Sequence, residues 1–405
     1  MYTNFSKIVS AITSPRDRKA IPVLGLVSLQ GDGFAVMRSQ GSKAFNFTDA
    51  VAVRAAGVQY HGGQPVHVDP RALPPSGPLA LDGDTLSHDC GTVPVVRGEA
   101  PHAFKPIPTE PGTYSAVRLG ARALVGLLAA ADTERSSVVL SGVGIQEVGS
   151  SVWATATNGK LLLSEQVAQL TPMPHGNVIL RPEMITALKA TGYRGPVDVY
   201  WTKRDTWIVC DEWQIHSMPL DGTYPPWSSV LEYPRGCTLA PAGLLATAAK
   251  RVLEGAPKHN AGVVYGSDGA GRLQQIAGDR NCRFEDDAFE GPGHLVCFNG
   301  RYMQQVSRWI GPETVLHWGG KHRATTGRTS ERFALIMPVT LPESLGRNAP
   351  VHATLGVPES APFVTVGKAK RKAKPEPKCK SCADALSALR SGNHLLAARI
   401  LEANA

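Results

Sequence analysis

Apolar positions along the chain follow two periods that alternate in blocks. In NVILRPEMITALKATG (177–192), Met184, Ile185 and Leu188 recur at the three-and-four spacing of a helix face. Met303, Val306 and Ile310 do the same in HLVCFNGRYMQQVSRWIG (294–311), and both stretches begin with a short β-like run. PVHVDPRALPPS (65–76) has the same order, with its helix cut short by Pro74-Pro75. A second helical pattern lies upstream of each: NFSKIVSAIT (4–13), ARALVGLLAAA (121–131) and PAGLLATAAKRVL (241–253). Alternating segments with Gly-rich turns fill the intervals. The unit helix, strands, helix, strands is therefore written three times, at a spacing of roughly 110–120 residues.

This pattern predicts an α+β fold of three repeated domains, each an antiparallel sheet with helices on one face. Pro and Gly punctuate the chain near 109–113 and 233–237, which sets the expected domains at 1–110, 111–234 and 235–341. One stretch resists simple patterning. WATATNGKLLLSEQ (153–166) opens like an exposed strand, reverses at Asn158-Gly159 and continues into three leucines. Successive strand side chains face opposite sides, so the three cannot share one core, and some of this apolar surface must serve another purpose.

Charge changes the picture only at the end of the chain. The net charge is +8 over 405 residues, but residues 346–405 carry ten Lys or Arg against four Asp or Glu, so the body is nearly balanced. That argues against tight nonspecific DNA binding by the body as a whole and leaves room for a locally positive surface. No apolar run suggests a membrane span and the N-terminus lacks signal-peptide order, so a cytoplasmic protein is expected. The seven scattered cysteines read as reduced thiols.

A search for chemistry finds no catalytic constellation. GSDGAGR (266–272) lacks the Lys-Ser/Thr ending of a phosphate loop and reads as a hairpin turn. Glu285-Asp286-Asp287 has no spaced partner ligands, and adjacent His88-Asp89-Cys90 would point to alternate faces of a strand. No enzyme, metal or cofactor is expected.

ATATNGKLLLSE (154–165), DGTYPPWSSVL (221–231) and FALIMPVTL (333–341) resemble motifs of the bacterial DNA polymerase III beta subunit, the sliding clamp, supported by FNGRYMQQV (298–306) and RKAIPVLGLVSLQ (18–30). The resemblance implies a head-to-tail homodimeric ring around double-stranded DNA, with sheets outside and helices lining it. It implies that DNA polymerase and clamp loader dock through short linear peptides. The implied cleft comprises Leu140, Thr157, Gly159, Leu162, Pro225, Val230, Asn299, Tyr302, Leu335, Met337, Pro338 and Leu341. Leu163, facing opposite to Leu162, is expected in the core. Lys160-Leu161 stands where the family often has His-Arg, Asn158 where it has Asp, and Ser228-Ser229 at positions often basic, which points to a different partner preference.

Expected DNA contacts are Lys7, Arg16, Arg18 and Lys19 from the first unit, Arg181 and Lys189 from the second, and Lys250, Arg251, Arg301 and Arg308 from the third. The expected dimer junction sets Phe104 and Ile107 against Leu273 and Ile276. A clamp-like peptide-binding decoy that does not encircle DNA is the alternative reading, with a hydrolase on the same fold more remote. Beyond the resemblance, residues 342–380 read as a basic linker and 381–405 as a tail able to form two short amphipathic helices. Cys379 and Cys382 have the spacing of half a zinc site, but a docking element is the preferred reading of this tail.

Overall fold

The computed structural model describes residues 27–30, 33–35, 51–55, 66–68, 80–88, 91–97, 105–132, 137–210, 213–228, 237–254, 262–266, 272–275, 281–283, 296–318 and 324–339. The expected helix at 4–13, the Pro74-Pro75 helix, the acidic triplet 285–287 and the tail lie outside these residues.

The first unit contributes β1 (Val27–Gln30), β2 (Gly33–Ala35), β3 (Val51–Ala55), β4 (Val66–Val68), β5 (Ala80–Asp82), β6 (Thr85–His88), β7 (Gly91–Pro94) and β8 (Val96–Arg97). The second runs β9 (Ser115–Gly120), α1 (Ala121–Leu128), β10 (Val143–Val148), β11 (Ser151–Thr157), β12 (Leu161–Gln169), β13 (Val178–Leu180), α2 (Pro182–Thr191), β14 (Pro196–Trp201), β15 (Thr206–Val209) and β16 (Trp213–Ser217). The third runs β17 (Cys237–Pro241), α3 (Ala242–Val252), β18 (Gly262–Gly266), β19 (Arg272–Gln275), β20 (Asn281–Arg283), β21 (Val296–Asn299), α4 (Gly300–Ile310), β22 (Val315–Trp318), β23 (Thr325–Arg328) and β24 (Arg332–Ile336). The second and third units match element for element.

The pairing repeats as well. The second unit orders its strands β12-β11-β10-β13 and β9-β14-β15-β16, and the third β20-β19-β18-β21 and β17-β22-β23-β24. In each unit the chain leaving the last strand crosses onto the fourth strand of the other sheet: β8 pairs β4, Leu220 N–H donates to Ile179 O, and Val339 N–H donates to Cys297 O. Among the described residues every strand pair is antiparallel. α1 packs on α2 and α3 on α4, so each complete unit places a helix pair over its sheets.

Local sequence explains the helix limits. Pro182 opens α2, where its missing N–H costs nothing, and Gly192 closes it at φ 73°. The Asn299 side chain caps α4 by accepting from the backbone N–H groups of Arg301 and Tyr302.

Sheets continue from one unit into the next. β3 pairs β16 over five residues, with Val53 opposite Ile215. β12 pairs β24 over five, with Leu162 opposite Leu335. One apolar core runs beneath both joints, from Val53 to Ile336. The joint between the second and third units is also locked by side chains. Arg332 donates to Glu165 Oε2 at 2.7 Å and to Trp309 O at 3.0 Å, while its guanidinium lies 4.9 Å over the Trp309 ring. Trp309 Nε1 in turn donates to Ser164 O at 3.1 Å, and its ring lies so close to Gly126 that a Cβ there would meet it at 2.9 Å.

Candidate functional site

The turn between β11 and β12 is fixed by its own residues. Asn158 Oδ1 accepts from the N–H groups of Lys160 and Leu161 at 3.0 and 2.9 Å, and Gly159 occupies φ 79°, where a side chain would be strained. Thr157 Oγ1 accepts from Gly159 N–H and donates to Leu161 O. The turn is also tied to the third unit. Asn158 Nδ2 donates to the Tyr302 hydroxyl at 3.1 Å, and Met337 N–H donates to Lys160 O at 2.8 Å. The Asn299 cap holds Tyr302 in place from below.

The three leucines separate as their alternation demands. Leu161 and Leu163 enter the main core. Leu162 joins a second, smaller cluster on the outer face of the sheet with Trp153, Trp227, Ala324, Phe333 and Leu335, against which Met337 packs. Trp153 meets Trp227 edge-on at 5.7 Å, and Trp227 stacks near Phe333 at 6.3 Å. Strand β11 is consequently buried on both sides, contrary to the exposed strand its small and polar residues suggested. The cover is residues 220–228. Tyr224 rests so closely on Gly144 that a Cβ there would meet its ring at 2.6 Å, Tyr224 O accepts from Gln146 Nε2, and Trp227 seals Trp153.

Of the expected cleft residues that are described, Tyr302 packs against the main core, whereas Leu162, Leu335 and Met337 belong to this outer cluster. Leu162 and Leu335, each 6% exposed, are its floor and not an open wall. Met337 and Pro338 are half-buried at its edge, and Gly159 and Pro225 are exposed. Leu140 belongs to an adjoining patch with Val139, Ile179, Leu220 and Tyr224. Val230 and Leu341 lie outside the described residues. Sequence reading missed Trp153, Tyr224 and Trp227. For Tyr224 and Trp227 the signal was available in the aromatic residues of TYPPW (223–227), but the contacts of the cluster span both units.

Comparison with known proteins gives a consistent fold. The sequence matches no protein-family model and no curated protein. Among solved structures, the DNA polymerase III beta subunit of Thermotoga maritima has a TM-score of 0.64 at 16% identity, covering 84% of this chain and 97% of that one. The sliding clamp of Bartonella birtlesii bound to griselimycin gives 0.65 at 17%, with 83% and 97% covered. The Helicobacter pylori beta clamp bound to a DNA ligase peptide gives 0.62 at 12%, with 83% and 96% covered. The chain has the sliding-clamp fold. Its identity to these clamps is low, and the structure match spans all three units.

Within the clamp fold, the basic candidates divide. Lys189, Lys250 and Arg308 are exposed in the last turns of α2, α3 and α4, beside exposed Arg251 and half-buried Arg301. Arg181 is corrected: it is 6% exposed, and its guanidinium donates to the carbonyls of Met218 and Pro219, because its place just before Pro182 turns it onto the crossing chain. Arg122 on α1 is exposed as well. Lys7, Arg16, Arg18 and Lys19 lie outside the described residues.

The expected dimer residues also divide. Phe104 and Ile276 are outside the described residues. Leu273 sits on β19, an inner strand paired on both sides, so it is not at a free edge. Ile107 is half-buried in a connector fastened to the second unit of its own chain. Lys105 bonds both Asp205 oxygens at 2.9 and 3.0 Å, and Trp207 Nε1 donates to Lys105 O. Burial of Asp205 works to raise its pKa, but His216, 3.0 Å away, and Lys105 outweigh it and hold the carboxyl below its ordinary value.

Among the described residues no group of three or more His, Cys, Asp or Glu is placed to hold a metal, and no helix is long and apolar enough to cross a membrane. Cys297 is buried, and burial pushes its thiol pKa up to about 12, which leaves it protonated and unreactive.

Proposed function

We propose that the protein is a DNA sliding clamp, a non-catalytic processivity subunit that closes as a head-to-tail homodimer around duplex DNA. A polymerase, a clamp loader and other partners would dock on its outer apolar shelf through short linear peptides. The observation that carries this reading is the rule joining the units. The strand just before the one that receives the crossing chain, β3 in the first unit and β12 in the second, pairs with the last strand before the crossing chain in the next unit, as β3–β16 and β12–β24. The rule leaves two strands at the ends of the chain with one partner each among the described residues: β20 in the third unit and β7 in the first. Applied once more between two copies, it joins β20 to β7, and two such heterologous contacts close a ring of six units. The dimer junction is therefore proposed at these two strands, in place of Leu273 and Ile107.

Lys189, Lys250, Arg251, Arg301 and Arg308 supply cations from helices of two units. Such contacts touch phosphates without reading sequence, which suits sliding, and ring topology does the holding. The test is retention on closed circular DNA after loading, followed by linearisation. Loss from the freed ends supports an encircling ring. Equal retention on both forms, or none on either, would rule encirclement out, and peptide binding without retention would favour a decoy.

A further inference from the structure

Resting on the reading of the outer shelf as a peptide-docking site, we propose that the chain carries its own occupant for it: residues 381–403 lie on the shelf until a partner peptide displaces them. The shelf is an apolar surface with an uncovered rim. Met337 and Pro338 are half-buried, Pro225 and Pro226 are exposed, and Val339 is 37% exposed. Only Val138, Leu170 and Val339 are large hydrophobic residues this exposed among the described residues. Val339 lies two residues past Met337, and Val138 directly precedes Val139 and Leu140 of the adjoining patch.

The tether starts at this place. Val339 is held by its N–H bond to Cys297 O, and 66 residues follow it, from 340 to 405. A connector spanning 340–380 has a root-mean-square reach of about 35 Å if it behaves as a flexible coil. That returns the segment to the shelf at an effective concentration on the order of 1 mM. An intrinsic dissociation constant of about 0.1 mM would then keep roughly ten molecules closed for each one open.

The segment has matching chemistry. Leu386, Leu389, Leu395, Leu396, Ile400 and Leu401 recur at helical spacing within it. An apolar stripe of this kind suits a floor of Leu162 and Leu335 with a deformable Met337 edge. A tethered competitor of modest affinity would raise the threshold for partners without abolishing their binding.

The experiment uses the full chain and two probes, fluorescent griselimycin and a synthetic peptide of residues 381–403. The tail variant Leu389→Asp/Leu396→Asp should bind griselimycin about ten-fold more tightly than the unaltered chain, and the free peptide should compete it off. Adding Met337→Lys to that variant should abolish binding of both probes. Equal griselimycin affinity with and without the tail changes would overturn the occlusion while leaving the shelf as a docking site. Failure of the free peptide to compete would do the same. Griselimycin binding that survives Met337→Lys, or no binding to any form, would overturn the docking site and the occlusion with it.

Discussion

At Gly159 the chain needs a positive φ of 79° and nothing else, because a Cβ there would meet no atom within 4 Å. Replacing it with Ala should therefore cost about 1 kcal/mol through backbone strain alone, whereas Asn, which tolerates the left-handed region, should cost less. Urea titration of both variants checks this, and equal costs would show that the turn resists substitution for another reason. Leu162 and Met337 should likewise separate. Leu162→Ala empties a floor position and should cost about 2–4 kcal/mol, while Met337→Lys on the half-buried rim should leave the melting midpoint nearly unchanged. Both should weaken peptide binding. A double Leu162/Met337 alanine variant is thus expected to lose stability as well as binding, because the leucine that faces the shelf is also buried in the cluster with Trp153, Trp227 and Phe333.

Elements show where sequence reading succeeded and where it stopped. Helices α2 and α4 were legible from Met184, Ile185 and Leu188 and from Met303, Val306 and Ile310, because local periodicity alone sets a helix face. The repeat was legible for the same reason. The two-sided burial of β11 was not, since its outer cover, Tyr224 to Trp227, arrives from much later in the chain. Arg181 misled because helical phase does not say which backbone carbonyls a side chain will meet. The joint between β12 and β24 carries a further expectation. Burial, with the charge of neighbouring Glu331 added, raises the pKa of Glu165 against the lowering by Arg332. The folded state then binds this proton more tightly than the unfolded chain, so stability falls as pH rises from the ordinary glutamate value through the raised one and stays flat above it. Relative to Glu165→Gln, the unaltered protein should lose stability over that window. Thermal melts of both proteins from about pH 4 to pH 7 measure it, and a parallel pair of curves would refute it.

Across the whole molecule, the proposed ring predicts a mass of twice the chain's 43.1 kDa by light scattering at micromolar concentration. A single-chain mass at that concentration would count against closure through β7 and β20. The three kinds of joint in such a ring differ in one respect. At β3–β16 and β12–β24 the paired strands are also linked by covalent chain, so a strand that peels away remains beside its mate and zips back at a rate independent of how many molecules are present. At β20–β7 the separated strands would belong to different molecules, and re-pairing would depend on collision. Dilution therefore acts on that seam alone. A ring stored at high concentration and then thinned should split into two stiff three-unit arcs whose internal joints remain intact. Any factor that places the ring on closed DNA then has one kind of weak joint to pry apart, present twice.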